Sequence, residues 1–379
     1  MPILPALAVP FQGLFPRSNH GQERARWFLL TLQAILLPIT ASRTSHLLRT
    51  LATLCGVVLG AAKYSTFMAS VTLPWAPVWA VRWRAIPAPL TAGRWLVALD
   101  DAIKAKTGTQ VFACQRRCDP AAKTHHSRLP WAPTLVTVGL LKVLHGRGCG
   151  LPLAFAGYLR RATLARRGGR LRGRALTFET TFTQAVRLIQ TRAGVWPRAP
   201  ILVVTDSGFG NNGLLKPLRP ARGCRAHLLA RRRVNAVLPD RPVAVPGRAG
   251  QPPKYGERLG RVKAMALTQR TTVQTYSLNL YGRVRDVVAA EQGVMLKTRR
   301  GPGRVVWVFR RTQWRARVTT DLTLSVAQLI EIYGARWKIA AGFRAIQQEI
   351  GSAQTPTRIP AAVTNPLPCW LAATTLTWR

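Results

Sequence analysis

WLVALDDAIKAKTG, residues 95–108, and ILVVTDSGFGNNGLLKPL, residues 201–218, decide how the rest of the chain is read. Each opens on a short unbroken apolar run and then meets acid: Asp100 and Asp101 in the first, Asp206 in the second. Such a run, bounded by polar residues, is the mark of a strand buried on both faces, and the acid marks the end that reaches solvent. Small residues follow Asp206, and NNGLLKPLR then reads as a basic helix start. Two buried strands ending in carboxylates predict the centre of an α/β sheet.

Working outward, LPWAPTLVTVGLLKVL (129–144) and LPLAFAGYL (151–159) read as further core strands, and RAHLLARRRVNAVL (225–238) as a strand with basic flanks. Thr177 to Ala193 has helical spacing. PDRPVAVPGRAGQPPKYGERLG (239–260) is rich in Pro and Gly and reads as an exposed loop. TVQTYSLNLYG (272–282), VVWVFRR (305–311) and WRARVTTDL (314–322) then predict an antiparallel β region. TLSVAQLIEIYGARWKIAAGFRAIQQEIG (323–351) reads as a helix or helix pair with Thr323 or Ser325 as N-cap. WFLLTLQAILLPIT (27–40) and HLLRTLATLCGVVLGAA (46–62) make residues 1–90 a helical N-terminal region, a candidate for DNA binding. Residues 91–379 form the main α/β domain, with a β-rich insertion at about 234–320. The chain stops after an apolar run, TLTWR, as a truncated reading frame would.

Lys and Arg number 56 against 13 acids among 379 residues, a formal net charge of +43. A chain so charged repels itself and calls for a polyanion: DNA, RNA or an anionic membrane surface. Arg far outnumbers Lys, so codon bias in a GC-rich genome contributes to the excess. With 47% hydrophobic residues the chain nonetheless folds around a core. The six cysteines are scattered and read as free thiols. Cys114, Cys118, His125 and His126 fit no zinc spacing well. MPILPALAVPFQGLF has no basic n-region, and the apolar stretch from Leu51 to Ala62 is too short to span a membrane. No membrane partner is expected, and no RNA-binding aromatic motif is present.

In a chain so poor in acid, each carboxylate counts. Carboxylates at the ends of adjacent core strands are a usual way to hold Mg²⁺, which takes oxygen ligands and keeps several waters. A bland alternative is that each Asp merely ends a strand or caps the following turn.

At this point the sequence resembles a known family. LVALDDAIKAKTG resembles the first-aspartate block of DDE-type insertion-sequence transposases of the insertion-sequence-four group, and ILVVTDSGFGNNGLLKPL the second. YGARWKIAAGFRAIQQEIGSAQT resembles their signature helix: Tyr, two residues, Arg, three residues, Glu, six residues, Lys. The resemblance runs from about Trp95 to Trp378. It implies a ribonuclease H-like mixed sheet flanked by helices, with a β-rich insertion before the signature helix. It implies three carboxylates holding two Mg²⁺ or Mn²⁺ ions, while water or a DNA 3′-hydroxyl attacks a phosphodiester in strand cleavage and then strand transfer. By position Asp101 matches the first acid and Asp206 the second, both as catalytic residues and as metal ligands; Asp100 matches the acid that commonly precedes. Tyr333 and Arg336 match signature residues expected near DNA phosphate. The implied partners are double-stranded DNA carrying terminal inverted repeats and a second copy of the chain on that DNA. The implied location is the bacterial cytoplasm, at the nucleoid.

Three positions depart from the pattern. Ala340 stands where the family has Glu, Gln347 where it has Lys, and Ala102 where Thr usually follows the first Asp. Glu331 and Glu349 each lie nine residues from position 340, and nine steps of ~100° place both on the far side of a continuous helix. The positions around Ala340 on its own face are Tyr333, Arg336, Trp337, Phe343, Arg344 and Gln347, with no acid among them. The expectation is a transposase-family protein with impaired catalysis, or a DNA-binding remnant that inhibits an intact copy; an active enzyme would need another acid, such as Asp321. Further DNA-contact candidates are Arg344, the run Arg166, Arg167, Arg170, Arg172 and Arg174, the run Arg231 to Arg233, and Arg310, Arg311, Trp314, Arg315 and Arg317. Related transposases hold a flipped base on an insertion-domain aromatic, for which Trp314 and Trp307 are the candidates here.

Overall fold

The two runs that open the reading lie side by side at the centre of a nine-stranded sheet in a computed structural model. It describes residues 9–11, 13–36, 48–49, 51–53, 56, 60–86, 88–103, 111–118, 124–125, 127–144, 147–166, 170–171, 174–193, 199–218, 226–243, 251, 253–297, 301–339, 341–342 and 359–376. The strands are β1 (Trp95–Ile103), β2 (Thr134–Leu144), β3 (Arg147–Tyr158), β4 (Ile201–Thr205), β5 (Ala226–Arg231), β6 (Gln274–Leu280), β7 (Arg283–Leu296), β8 (Gly301–Arg310) and β9 (Gln313–Thr319). Their order across the sheet is β6-β7-β8-β9-β5-β4-β1-β2-β3. β1, β2 and β3 are antiparallel neighbours, while β1, β4 and β5 run parallel. This is the mixed ribonuclease H-like arrangement, and the antiparallel meander β6 to β9 extends it through the β9–β5 pairing.

Helices cover both faces, which is why β1 and β4 open on runs that are apolar at odd and even positions alike. The longest helices are α1 (Asn19–Leu36), α2 (Ala61–Ala69), α3 (Trp75–Arg84), α4 (Thr181–Ala193), α5 (Val326–Ala335) and α6 (Pro366–Leu376). On one face Trp95, Val97 and Leu99 of β1 and Ile201 and Val203 of β4 pack with Ala185, Leu188 and Ile189 of α4. On the other, Leu96 and Ala98 of β1 and Leu202 and Val204 of β4 pack with Leu329, Ile330 and Tyr333 of α5 and with Trp370 and Leu371 of α6. Alternation along each strand thus sorts odd and even residues onto different helices. The Pro- and Gly-rich stretch holds more order than a loop: Arg258–Arg261 pairs with Val237–Pro239, and the helix Val262–Thr268 follows on the α4 face.

The N-terminal helices pack with the C-terminal ones. Trp27, Phe28, Tyr64, Phe67 and Trp75 share a third apolar cluster with Cys369, Ala372 and Leu376. The buried Asn365 side chain accepts from Trp75 Nε1 at 2.9 Å and donates to the carbonyls of Met68 and Ser70 at 2.7 and 2.8 Å. Arg82 is buried, and the sheet explains it. The register of β2 against β3 slips at Val138/Gly139, leaving Leu153 as an extra residue. Arg82 donates to the carbonyls of Pro152 and Leu153 at this bulge and to the Thr375 hydroxyl of α6, so one guanidinium joins α3, β3 and α6.

Among the described residues no helix is long and apolar enough to cross a membrane.

Candidate active site

Strand register places four charged residues in one row. Leu99 of β1 is level with Thr205 of β4, and Thr205 with Ala230 of β5. Carried one step past the end of β4, that register sets Asp206 between Asp100 of β1 and Arg231, the last residue of β5, and Arg231 pairs directly with Arg317 of β9. Alternation turns all four to the face that carries α5. The row reads Asp, Asp, Arg, Arg across neighbouring strands spaced about 4.8 Å apart.

α5 supplies the roof. Its start is set by Ser325, whose hydroxyl accepts from the Gln328 amide while the Gln328 side chain accepts from the Ser325 amide, a reciprocal capping box. Its far end comes down against β3, because Gly148 and Gly150 have no side chains there. A Cβ on Gly148 would stand 2.6 Å from Ala335 Cβ, and one on Gly150 2.8 Å from the Ile339 backbone nitrogen. This close approach brings Tyr333 and Arg336 over the row. Arg336 Nη1 donates to Asp100 Oδ2 at 2.8 Å. Its guanidinium also lies 5.8 Å from the Tyr333 ring centre and 4.8 Å from that of Trp337, which is 58% exposed.

Asp206 is held by the turn that follows it. Its Oδ1 accepts from the amides of Gly208 at 2.8 Å and Phe209 at 3.3 Å, and Oδ2 has no hydrogen-bond partner among the described residues. The Asp100 carboxyl is pushed up to about 6. Burial is the largest cause, Arg336 pulls the other way, and Asp206 and Asp101 push it up further. Tyr333 is raised too, first by burial, against the pull of Arg336, Arg317 and Arg231. Two carboxylates thus lie under one roof, and among the described residues Arg336 pairs with Asp100 alone. That fits one divalent ion, since Mg²⁺ is commonly held by one or two carboxylates, with waters and substrate phosphate completing its shell. Among the described residues no group of three His, Cys, Asp or Glu side chains gathers to hold a metal.

The remaining candidates are dispersed. Asp101 alternates to the α4 face, where Arg117 Nη2 stands 3.8 Å from its Oδ2. Trp314 packs on that same face, against the core that α4 covers. Arg315 is exposed on the α5 face, two residues from Arg317. Trp307 is fully buried and donates its indole N–H to the Val262 carbonyl at 3.2 Å, so it is not available to stack on a base. Asp321 pairs with Arg94 at 3.0 Å and accepts from the Thr323 hydroxyl at 2.6 Å. Arg94 precedes β1 and Asp100 lies near its other end, about 20 Å away at ~3.3 Å per residue, so Asp321 is no substitute acid. Glu331 accepts from the Asn279 amide of β6 at 3.3 Å. Ala340, Arg344 and Gln347 lie outside the described residues, as do the side chains of the arginine run 166–174 and His126. Cys114, Cys118, Cys149 and Cys369 are free thiols.

Sequence reading did not find the Arg231–Arg317 pairing, and it placed Trp337 only as a neighbour of Ala340 on the helix face. The strand register is the signal for the first. For the second it is the adjacency of Trp337 to Arg336 on a helix whose other aromatic, Tyr333, is buried.

A ribonuclease H-like sheet with acids closing its central parallel strands defines the class. The chain matches the DDE superfamily endonuclease family over residues 11–288, and it belongs to that family. The match takes in the N-terminal helices and both aspartate blocks and ends before α5. The family implies DNA as substrate, and its nucleases typically use divalent metal ions. No curated protein matches the chain.

Proposed function

We propose that this chain is a transposase of the insertion-sequence-four group, acting on double-stranded DNA ends with terminal inverted repeats, as a pair of protomers at the nucleoid. The observation that carries the reading is the level pair Asp100 and Asp206 beneath Tyr333 and Arg336. Asp100, rather than Asp101, takes the part of the first acid, because it shares a face with Asp206 and the signature helix. A bound Mg²⁺ or Mn²⁺ ion would supply Lewis-acid activation of a phosphodiester and neutralise charge as it breaks. Asp100 and Asp206 would hold it, and the turn amides keep Asp206 aimed. Arg336 orients Asp100, and Tyr333 walls the site from the core.

Catalysis is impaired, because the third acid of the family is Ala340. A second reading, a DNA-binding remnant that inhibits an intact transposase, draws on the absence, among the described residues, of three carboxylates gathered to hold a metal. Mn²⁺-dependent nicking of a DNA end bearing the cognate repeat decides between them. The enzyme reading expects weak nicking that Asp206→Ala abolishes and Ala340→Glu raises. Tight binding to the repeat with no nicking by either the wild type or Ala340→Glu would leave the remnant reading in possession.

A further inference from the structure

The basic half of the row is built in a way that solvated surface arginines are not. Arg317 and Arg231 are cross-strand partners, two like charges placed directly opposite, an arrangement that destabilises a sheet. Arg317 Nε and Nη1 are buried with no hydrogen-bond partner among the described residues, and so is Arg336 Nε. The Arg317 guanidinium rests 4.7 Å from the Tyr333 ring centre, which offers a π face but no acceptor oxygen. Burial lowers the Arg317 pKa; Tyr333 and Tyr281 act against this, and Arg231 adds to it. Tyr281 sits in the β6–β7 turn with φ of 59°, a left-handed conformation that costs free energy for a residue with a side chain. Two buried N–H donors with no acceptor among the described residues, a like charge alongside and a strained aromatic neighbour are what an anion's oxygens would satisfy.

We infer that Arg317 and Arg231, walled by Tyr333 and Tyr281, form a phosphate subsite for the DNA backbone beside the phosphodiester that Asp100 and Asp206 address. The inference rests on the proposed function for its DNA, but the two guanidiniums need no metal to bind an anion. Guanidinium forks match phosphate oxygens in pairs, which lysine cannot reproduce. The row then has a division of labour. Its acidic half repels the bare backbone until a cation is present, and its basic half fixes the strand one phosphate away. Both halves lie at the strand ends under one helix, so a single DNA strand crossing the row would meet them in turn.

The test uses the full chain in EDTA, with inorganic pyrophosphate as probe and thermal unfolding as readout. A chain of net charge +43 binds anions everywhere, so the response is compared with that of Arg258→Lys. Arg258 is exposed on the hairpin whose Leu238 and Leu259 pack on the α4 face. The expected result is that Arg317→Lys and Arg231→Lys each weaken pyrophosphate binding by about tenfold, the scale of one lost charged hydrogen bond, while Arg258→Lys leaves it unchanged. Arg231 is exposed, so its variant reports even if Arg317→Lys does not fold. Equal responses in Arg231→Lys and Arg258→Lys overturn the subsite. Asp206→Asn separates this from the activity: it should abolish nicking and keep pyrophosphate binding. Nicking absent with the tenfold losses intact would refute the enzyme and leave the subsite standing.

Discussion

Arg336 Nη1 and Asp100 Oδ2 meet at 2.8 Å across 236 positions of sequence, and the contact fixes the signature helix over the ends of β1 and β4. The two side chains are 7% and 22% exposed, so water screens the pair little. Removing one partner strands the other charge. We expect Arg336→Gln to cost about 2–3 kcal/mol in urea unfolding, somewhat less than a fully buried pair because Asp100 keeps some solvent. Combined with Asp100→Asn in a double-mutant cycle, the coupling should exceed the ~0.5 kcal/mol scatter of independent sites. Additivity within that scatter would show the contact to be incidental.

Acid should act on stability through two aspartates with opposite signs. The Asp100 carboxyl ionises at about 6 in the folded chain, above its ordinary range. Between roughly pH 4, where the unfolded carboxyl ionises, and pH 6, the native state holds a proton that the unfolded state has released. Stability from this group therefore falls as pH rises through that window. For Asp321 burial is the largest influence and raises the pKa. Hydrogen bonds from Thr323, with His227 and Arg94 nearby, outweigh it and hold the carboxyl below its usual range. Its contribution is present above the ordinary carboxylate pKa and is lost as pH falls through the folded value. Melting temperature against pH should lose the decline between about pH 4 and 6 in Asp100→Asn. Asp321→Asn should instead lower the melting temperature at neutral pH and flatten the acid limb.

Metal binding separates the two neighbouring acids of β1. Mn²⁺ should raise the melting temperature of the wild type at pH 8, and of Asp101→Asn equally. Asp100→Asn and Asp206→Asn should each remove the shift. A shift lost in Asp101→Asn and kept in Asp100→Asn would return the first-acid role to the α4 face.

Gly150→Ala tests the seat of the signature helix. The added Cβ meets backbone atoms of Lys338 and Ile339 at 2.9 and 2.8 Å, which no rotamer change relieves. Overpacking of this kind costs about 1–3 kcal/mol, and here it should also lift Arg336 from Asp100. The expected signature is a lower unfolding midpoint together with a smaller coupling in the Arg336–Asp100 cycle. An unchanged midpoint would mean that α5 rides freely over β3.

The sequence made the sheet legible, but not the phase of its central strand. WLVAL is apolar at odd and even positions alike because helices cover both faces, so nothing in the run says whether Asp100 or Asp101 shares a face with Asp206. Only the register with β4 does. β7 escaped notice for a different reason: its first four residues, Arg283 to Asp286, are exposed, which blurs the alternation that made β6 and β9 readable. Among the insertion aromatics, composition could not separate Trp307 from Trp314, because which indole meets the core depends on pairing partners. The start of α5 was legible to within two residues, with Thr323 or Ser325 as its cap, because capping is a local matter of a few residues; the structure uses Ser325.

The Trp75–Asn365 contact sets a timetable for biosynthesis. Its partners are 290 residues apart, so at ~5–20 residues per second the helices around Trp75 leave the ribosome roughly 15–60 s before Asn365 does. During that interval Trp27, Phe28, Phe67 and Trp75 have no C-terminal helix to cover them. The nascent chain carries an aromatic patch beside a large positive charge, a combination that binds both chaperones and polyanions such as the ribosome's own RNA. Its yield in a cell should therefore depend on holdase supply and on translation speed across the 290 positions between the two partners, more than on the stability of the finished fold.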